Sequence, residues 1–196
     1  MNNRKSKNIR SMLSSTLTLA TPAVALLWCL VASPGLARAE EDGHDRRGPG
    51  LPSPACDGLR VPAGNRLAFH AYALGVQIYR WDGAKWAFAG PEAALFADPC
   101  YDEQVGIHYA GPTWESNDGS KVVGARLAPC TPNRGAIPWL LLGRSSSSGH
   151  GKFERVTYIQ RVNTIGGTAP AEAGSFIGDE ARVPYTAEYY FYRGTR

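Results

Sequence analysis

The stretch VPYTAEYYFYR, residues 183–193, decides the fold class of this chain. Tyrosine, phenylalanine and valine are enriched in β-strands, and here they crowd into eleven consecutive residues. We predict that this stretch is the closing strand of a sheet. The strand is expected to lie centrally or against the face of its neighbour, and replacement of Tyr189 by aspartate is expected to unfold the protein.

Short apolar runs separated by turn residues continue upstream of this strand. Residues 153–164 are predicted to form the longest strand, and residues 136–142 a strand buried on both faces. Residues 105–110 and 121–127 are predicted to pair as a hairpin across the turn signal at residues 116–120. Together these segments indicate antiparallel β-structure.

The remaining local signals agree with a turn-rich β-protein. Asp82-Gly83 predicts a hairpin turn, whereas residues 91–96 predict a single helical turn that begins at Pro91. Apolar stripes of helical period are absent after residue 56. We therefore predict one all-β domain over residues 57–196, an antiparallel β-sandwich or closed β-barrel of about eight strands with long loops and little helix.

The first 56 residues have a different composition. Four cationic residues precede an uncharged stretch at 11–37, and Ala37-Arg38-Ala39 has the small-x-small pattern of a cleavage site. This order predicts a signal peptide at residues 1–39, with an uncleaved membrane anchor as the alternative. Residues 40–56 are rich in charge, glycine and proline, which predicts a flexible arm. The predicted location is periplasmic or extracellular, with no stable membrane anchor after cleavage.

The net charge of +4 comes from the leader. Five of the 21 cationic residues precede Glu40 and no acidic residue does, so the remainder has 16 cations, 17 anions and a net charge of −1. A nucleic-acid partner is therefore not predicted, because such a surface needs excess lysine and arginine.

Three cysteines follow the predicted cleavage site. An oxidising compartment favours a disulfide. In the predicted hairpin, Cys100 and Cys130 lie just beyond the paired strands and in register. We predict a Cys100–Cys130 disulfide with Cys56 free on the arm, and the alternative is Cys56 bonded to either of the other two.

The segment from His108 to Lys121 holds the most varied set of reactive side chains. One interpretation makes His108 a general base or ligand, Glu115 its partner and Trp114 a stacking platform. The alternative is a packed histidine and tryptophan followed by turn residues. The candidate ligand-binding residues are His108, Tyr109, Trp114, Glu115 and Asp118.

Motifs for other chemistry are missing from the sequence. The histidine and cysteine spacings do not match a local metal site, and the chain lacks the phosphate-binding and dinucleotide-binding glycine patterns. Neither a metal nor a cofactor is predicted.

Five strings across residues 60–193 resemble the DUF3455 family. They are GVQIY at 75–79, VGIHYAGPTWE at 105–115, AIPWLLL at 136–142, VTYIQRV at 156–162 and VPYTAEYY at 183–190. The resemblance implies an exported domain of unknown function and supplies no catalytic residues. Some fungal relatives carry a malate dehydrogenase label, which the missing cofactor pattern does not support.

Two functions are consistent with these observations. The first is a small-ligand-binding or structural module of the cell envelope or exterior, with a small polar ligand or a saccharide as its partner. The alternative is a hydrolase or lyase that uses His108 with Glu115 or Asp118.

Overall fold

Eight antiparallel strands form one closed barrel in the computed structural model, which describes residues 48–195. The strands are β1 Asn65–Trp81, β2 Trp86–Phe96, β3 Gln104–Tyr109, β4 Thr113–Ser116, β5 Lys121–Cys130, β6 Trp139–Ser148, β7 Val156–Gly166 and β8 Glu180–Gly194. Each strand pairs with its neighbours in sequence, and β1 closes the barrel by pairing with β8. The all-β prediction is confirmed, and of its two architectures the barrel is present.

The predictions for the first part of the chain fall largely outside this range. The predicted signal peptide, residues 1–39, and residues 40–47 of the predicted arm lie outside the described residues. The described part has no helix long and apolar enough to cross a membrane.

Pairing between the first and last strands closes the barrel. β1 has 17 residues and β8 has 15, and they pair from Asn65↔Gly194 to Arg80↔Glu180. The prediction that residues 153–164 form the longest strand is wrong, because β7 has 11 residues and begins only at Val156.

Alternation along β8 places large aromatic side chains inside the barrel. Tyr185, Tyr189 and Phe191 are at most 2% exposed and belong to the interior cluster. Ala71 and Ala73 of the paired strand β1 are also interior, and their small side chains leave room for these rings. Tyr189 itself lies inside the barrel and is 0% exposed.

The two ends of the barrel differ. At one end, which we call the closed end, Phe69, Phe153 and Phe191 pack together with ring centroids 4.4–5.2 Å apart. The β4–β5 and β6–β7 connections lie at this end. At the other end, the open end, the β3–β4 and β5–β6 connections line a cavity together with residues of β1 and β2.

The predicted helical turn at residues 91–96 is wrong, because these residues belong to β2. Pro91 is tolerated in the strand because β2 pairs with β3 only from Glu92 onward. On that side Pro91 has no partner strand that needs its missing N–H. The first half of β2 therefore extends beyond β3 and forms one wall of the open end.

The predicted pairing of residues 105–110 with 121–127 is also wrong. The short strand β4, Thr113–Ser116, lies between β3 and β5 and pairs with both. The register argument for a Cys100–Cys130 disulfide fails with it.

The disulfide joins Cys56 to Cys130, with 5.4 Å between the Cα atoms. Cys100 is an exposed free thiol. The segment around Cys56 packs on the outer face of the barrel, where Leu59 is 0% exposed and contacts the cluster that includes Leu141. The prediction that Cys56 is free is therefore wrong, and the disulfide is the alternative pairing of Cys56 with Cys130.

Two further boundaries differ from the sequence prediction. β6 begins at Trp139, so residues 136–138 precede the strand rather than forming its first part. Ala136 and Ile137 are nevertheless buried, and Ile137 contributes to the interior cluster at the open end.

Candidate functional site

The open end of the barrel contains a cavity of about 440 Å³. This volume is within the usual range for small-molecule sites. It connects to solvent, since its lining includes exposed Phe88 and Arg126 as well as fully buried Tyr189. Its lining includes Gln77, Tyr79, Phe88, His108, Pro112, Trp114, Arg126, Ile137, Leu140, Leu142, Arg161 and Tyr189.

His108 points into the barrel from β3 and is 2% exposed. Its ring is stacked on Trp114 of the paired strand β4, and its Nδ1 donates a hydrogen bond to the carbonyl oxygen of Thr113 at 2.8 Å. Burial lowers the pKa of His108 to about 3, the nearby charge of Arg161 also lowers it, and the Thr113 carbonyl opposes both. His108 is therefore a neutral, weakly basic imidazole at physiological pH.

Tyr109 and Glu115 lie on the outer face of the barrel. The Tyr109 hydroxyl donates to Oε2 of Glu115 at 3.0 Å, and Lys121 Nζ lies 3.0 Å from the same oxygen. The hydrogen bond from Lys121 is the main cause of the lowered pKa of Glu115, with Tyr109 second. Because strand side chains alternate between faces, Glu115 faces away from its neighbour Trp114.

Asp118 is a structural residue of the closed end. Its Oδ1 accepts hydrogen bonds from the backbone N–H of Ser120 at 2.9 Å and from the Ser120 hydroxyl at 2.6 Å, and its Oδ2 accepts the N–H of Lys152 at 2.8 Å. The Ser120 hydroxyl is the main cause that lowers the pKa of Asp118 to about 2. These bonds connect the β4–β5 turn to the β6–β7 loop.

The five predicted site residues therefore occupy three separate places. His108 and Trp114 line the cavity, Tyr109 and Glu115 lie outside the barrel, and Asp118 lies at the opposite end. The structure does not assemble the His108–carboxylate pair that a hydrolase or lyase of the predicted kind requires.

The cavity wall carries buried polar atoms that make no hydrogen bond of normal geometry within residues 48–195. They are Nε2 of Gln77, Nε1 of Trp114 and the hydroxyl of Tyr189. The hydroxyl of Tyr185, beside the cavity, is also buried and also makes no such hydrogen bond. Burial raises the pKa of Tyr189, and the neighbouring charge of Arg161 partly offsets this. Polar atoms buried without partners are rare and costly in folded proteins, so their convergence on one cavity marks a site.

Arg161 brings a positive charge to the same cavity. It lies two residues after Ile159, an interior residue of β7, so both point inward. Its Nε and Nη2 donate to the carbonyl oxygen of Pro138 at 3.1 and 2.8 Å, which fixes the guanidinium. The charge of Arg161 lowers the pKa values of His108, Tyr79 and Tyr189, a sign that all three rings lie close to it.

Sequence reasoning missed four polar residues of this site: Gln77, Arg126, Arg161 and Tyr189, the last of which was predicted only as a core residue. The signal was available for Arg161 and Gln77. Arg161 follows the inward-facing Ile159 by two residues in β7. Gln77 follows Gly75 by two residues and the inward-facing Ala73 by four in β1, so the alternation of each strand predicts that both side chains point inward.

One group of potential metal ligands lies outside the cavity. Ligand atoms of Asp98, Cys100 and Asp102 are within 4.8 Å of one another on the exposed β2–β3 loop. The Asp98 carboxylate already accepts the backbone N–H groups of Cys100, Asp102 and Glu103, so the geometry is that of a turn. It supports no metal assignment.

Comparison with known proteins gives one match. No curated protein matches this chain, and no solved structure does. The model of the family described as "Protein of unknown function (DUF3455)" matches residues 62–193, which include every cavity residue named above. Residues 62–193 are well over half of the chain, and this protein belongs to the DUF3455 family.

Proposed function

We propose that this protein is an exported binding module that holds a small polar ligand in the cavity at the open end of its barrel. The observation that carries the proposal is the set of polar atoms of Gln77, Trp114 and Tyr189 that make no hydrogen bond of normal geometry within the described residues, all three residues being at most 1% exposed and lining one cavity. A ligand that hydrogen-bonds to them offsets the cost of their burial.

The geometry favours binding over catalysis by the predicted residues. General acid–base catalysis works best when the catalytic pKa lies near the working pH. The pKa of His108 is far below that range, and the carboxylates proposed as its partners lie elsewhere.

The aromatic residues restrict how a saccharide can bind. The indole face of Trp114 towards His108 is occupied, because the two rings stack with centroids 4.3 Å apart and an interplanar angle of 10°. Phe88, which is 57% exposed and packs edge-on against Tyr79, is the accessible aromatic surface at the mouth. A sugar or other ligand ring stacks on Phe88 rather than on Trp114.

The location of the protein forms the second part of the proposal. The Cys56–Cys130 disulfide is consistent with a periplasmic or extracellular location, since disulfides persist in oxidising compartments. From the composition of residues 1–39 we also propose that a signal peptide is cleaved from the chain. Mass spectrometry of the protein recovered from its native host tests this: we expect a mature chain that begins at Glu40, and an intact precursor contradicts it.

Ligand binding is tested by a thermal-shift screen of the purified protein. The panel contains neutral monosaccharides and disaccharides, small organic acids and their amides. We expect at least one compound to raise the melting temperature in a concentration-dependent way, because a ligand that binds only the folded state stabilises it.

A matched pair of variants locates the binding site. Phe88→Ala removes an exposed ring at the mouth, and Phe176→Ala removes a ring that is 75% exposed and does not line the cavity. We expect Phe88→Ala to weaken binding several-fold and Phe176→Ala to leave it unchanged. Equal effects of both variants, or a full panel with no binder, contradict the proposal.

A further inference from the structure

Arg161 is a partly buried cation without an acidic partner. Within residues 48–195 neither Arg161 nor Arg126 at the cavity rim forms an ion pair. The cavity lining contains no aspartate or glutamate. A charge removed from water needs a counter-charge or hydrogen bonds, and the Pro138 carbonyl supplies only part of that need.

Three other buried polar atoms of the cavity wall also lack an acceptor of normal geometry among the described residues. The indole nitrogen of Trp114 and the amide nitrogen of Gln77 can only donate, and the Tyr189 hydroxyl is able to donate. The Nη1 group of Arg161 makes no hydrogen bond of normal geometry within the described residues, although Arg161 lies near enough to the Tyr189 hydroxyl to lower the pKa of Tyr189 through a hydrogen-bond interaction. The site therefore presents hydrogen-bond donors on several sides, which favours a ligand rich in acceptor oxygens.

Much of the remaining lining is apolar, apart from Tyr79 and His108. Ile137, Leu140 and Leu142 line one side and Pro112 lies at the β3–β4 turn. A ligand that fills the cavity thus combines a charged, oxygen-rich head with an organic body.

We propose that the ligand is a small organic carboxylate, whose carboxylate group contacts the Arg161 guanidinium and the Tyr189 hydroxyl. This inference rests on the proposed function and specifies its ligand class. The carboxylate accepts the donors that the cavity leaves unpaired, and its organic body packs on the Ile137–Leu142 side.

A carboxylate fits better than a phosphate ester. The interior of the site has one guanidinium, which balances the single negative charge of a carboxylate. Arg126, the other cation of the lining, is exposed at the rim and remains hydrated. A phosphate dianion would leave one negative charge inside an apolar wall, which costs free energy.

The first test compares matched compounds on the wild-type protein. Isothermal titration calorimetry at pH 7 measures the affinity of each organic acid against its primary amide, with phosphate monoesters and neutral sugars in the same series. We expect the acid that binds to do so at least tenfold more tightly than its amide, which has the same size and shape but no charge.

The second test uses variants. Arg161→Gln removes the interior charge, and Arg155→Gln removes an exposed charge near the closed end that does not line the cavity. We expect the first to lower the affinity for the acid at least tenfold and to abolish the preference over the amide, and the second to change neither. Tyr189→Phe is expected to weaken binding several-fold while the circular dichroism spectrum stays unchanged.

The outcomes separate this inference from the proposed function. Binding of neutral sugars or amides at the same site with no preference for acids overturns the carboxylate inference and leaves the binding function standing. Tighter binding of phosphate monoesters than of any acid also overturns it. Absence of any binder contradicts both. The acid–amide comparison needs no variant, so it decides the inference even if Arg161→Gln fails to fold.

Discussion

The imidazole of His108 lies parallel to the indole of Trp114, with 4.3 Å between the ring centroids and 10° between the ring planes. The two residues face each other across β3 and β4, and Tyr189 of β8 meets both rings edge-on at 5.2 and 5.4 Å. This aromatic group forms the boundary between the packed interior and the cavity. Its burial keeps His108 neutral, which has a measurable effect on stability.

The free energy of unfolding is expected to depend on pH through His108. Its pKa is 6.5 in the unfolded chain and about 3 in the folded protein, so between these values the unfolded state binds one more proton. Stability from this residue is complete above pH 6.5 and decreases as the pH falls towards 3, by at most about 1.4 kcal/mol per pH unit. Denaturant titrations between pH 7 and 4.5 measure the slope.

A variant isolates this contribution from those of the carboxylates. We expect the difference in unfolding free energy between wild type and His108→Gln to shrink steadily as the pH falls below 6.5. His150→Gln, in which a side chain that is 97% exposed is replaced, is the control and should follow the wild-type curve. Parallel curves for wild type and His108→Gln contradict the prediction.

The disulfide makes a second prediction. Peptide mapping without reduction should recover Cys56 linked to Cys130 and a free Cys100. Cys130→Ser is expected to lower the free energy of unfolding by about 2–5 kcal/mol, because the bond closes a loop of more than seventy residues in the unfolded chain. Cys100→Ser serves as the control with no effect. A cross-linked peptide that contains Cys100 contradicts this assignment.

Tyr189 allows stability and binding to be separated. Tyr189→Asp removes a fully buried ring from the interior cluster and should unfold the protein, since losing a large buried side chain costs several kcal/mol. Tyr189→Phe removes a hydroxyl that has no partner of normal geometry, so we expect the unfolding free energy to change by less than about 1 kcal/mol. Circular dichroism melting distinguishes these cases, and a folded Tyr189→Asp protein argues against the interior placement.

Asp118 should matter for stability but not for binding. Asp118→Asn removes one of the two oxygens that hold Ser120 and Lys152, and we expect a loss of about 1–2 kcal/mol in unfolding free energy. The ligand affinity should remain unchanged, because Asp118 lies at the closed end. Asp102→Asn, at an exposed position whose carboxylate accepts no hydrogen bond among the described residues, is the matched control. An affinity loss in Asp118→Asn contradicts the structural role.

The sequence was sufficient for the fold class and insufficient for the register. Tyr185, Tyr189 and Phe191 identify β8 as a strand through composition alone. The short strand β4 was missed because Thr113–Ser116 has four residues and begins just after Gly111-Pro112, a pattern that resembles a loop. Without β4, the prediction paired β3 with β5 directly, and this wrong register led to the incorrect cysteine pair.

The candidate site was only partly accessible for the same reason. His108 and Trp114 were found because they lie six residues apart in one unusual segment. Arg161 and Gln77 join them from β7 and β1, and only the closed barrel brings these strands together. Residue spacing within one segment does not predict that these strands meet. The alternation of inward and outward residues along each strand predicts only that the Arg161 and Gln77 side chains point into the barrel.

The pairing of β1 with β8 has a consequence for biosynthesis. A nascent chain that has left the ribosome up to β7 lacks the strand that contributes Tyr185, Tyr189 and Phe191, and the long first strand has no partner along one edge. Native closure therefore waits until translation reaches about residue 194, and apolar side chains stay exposed until then.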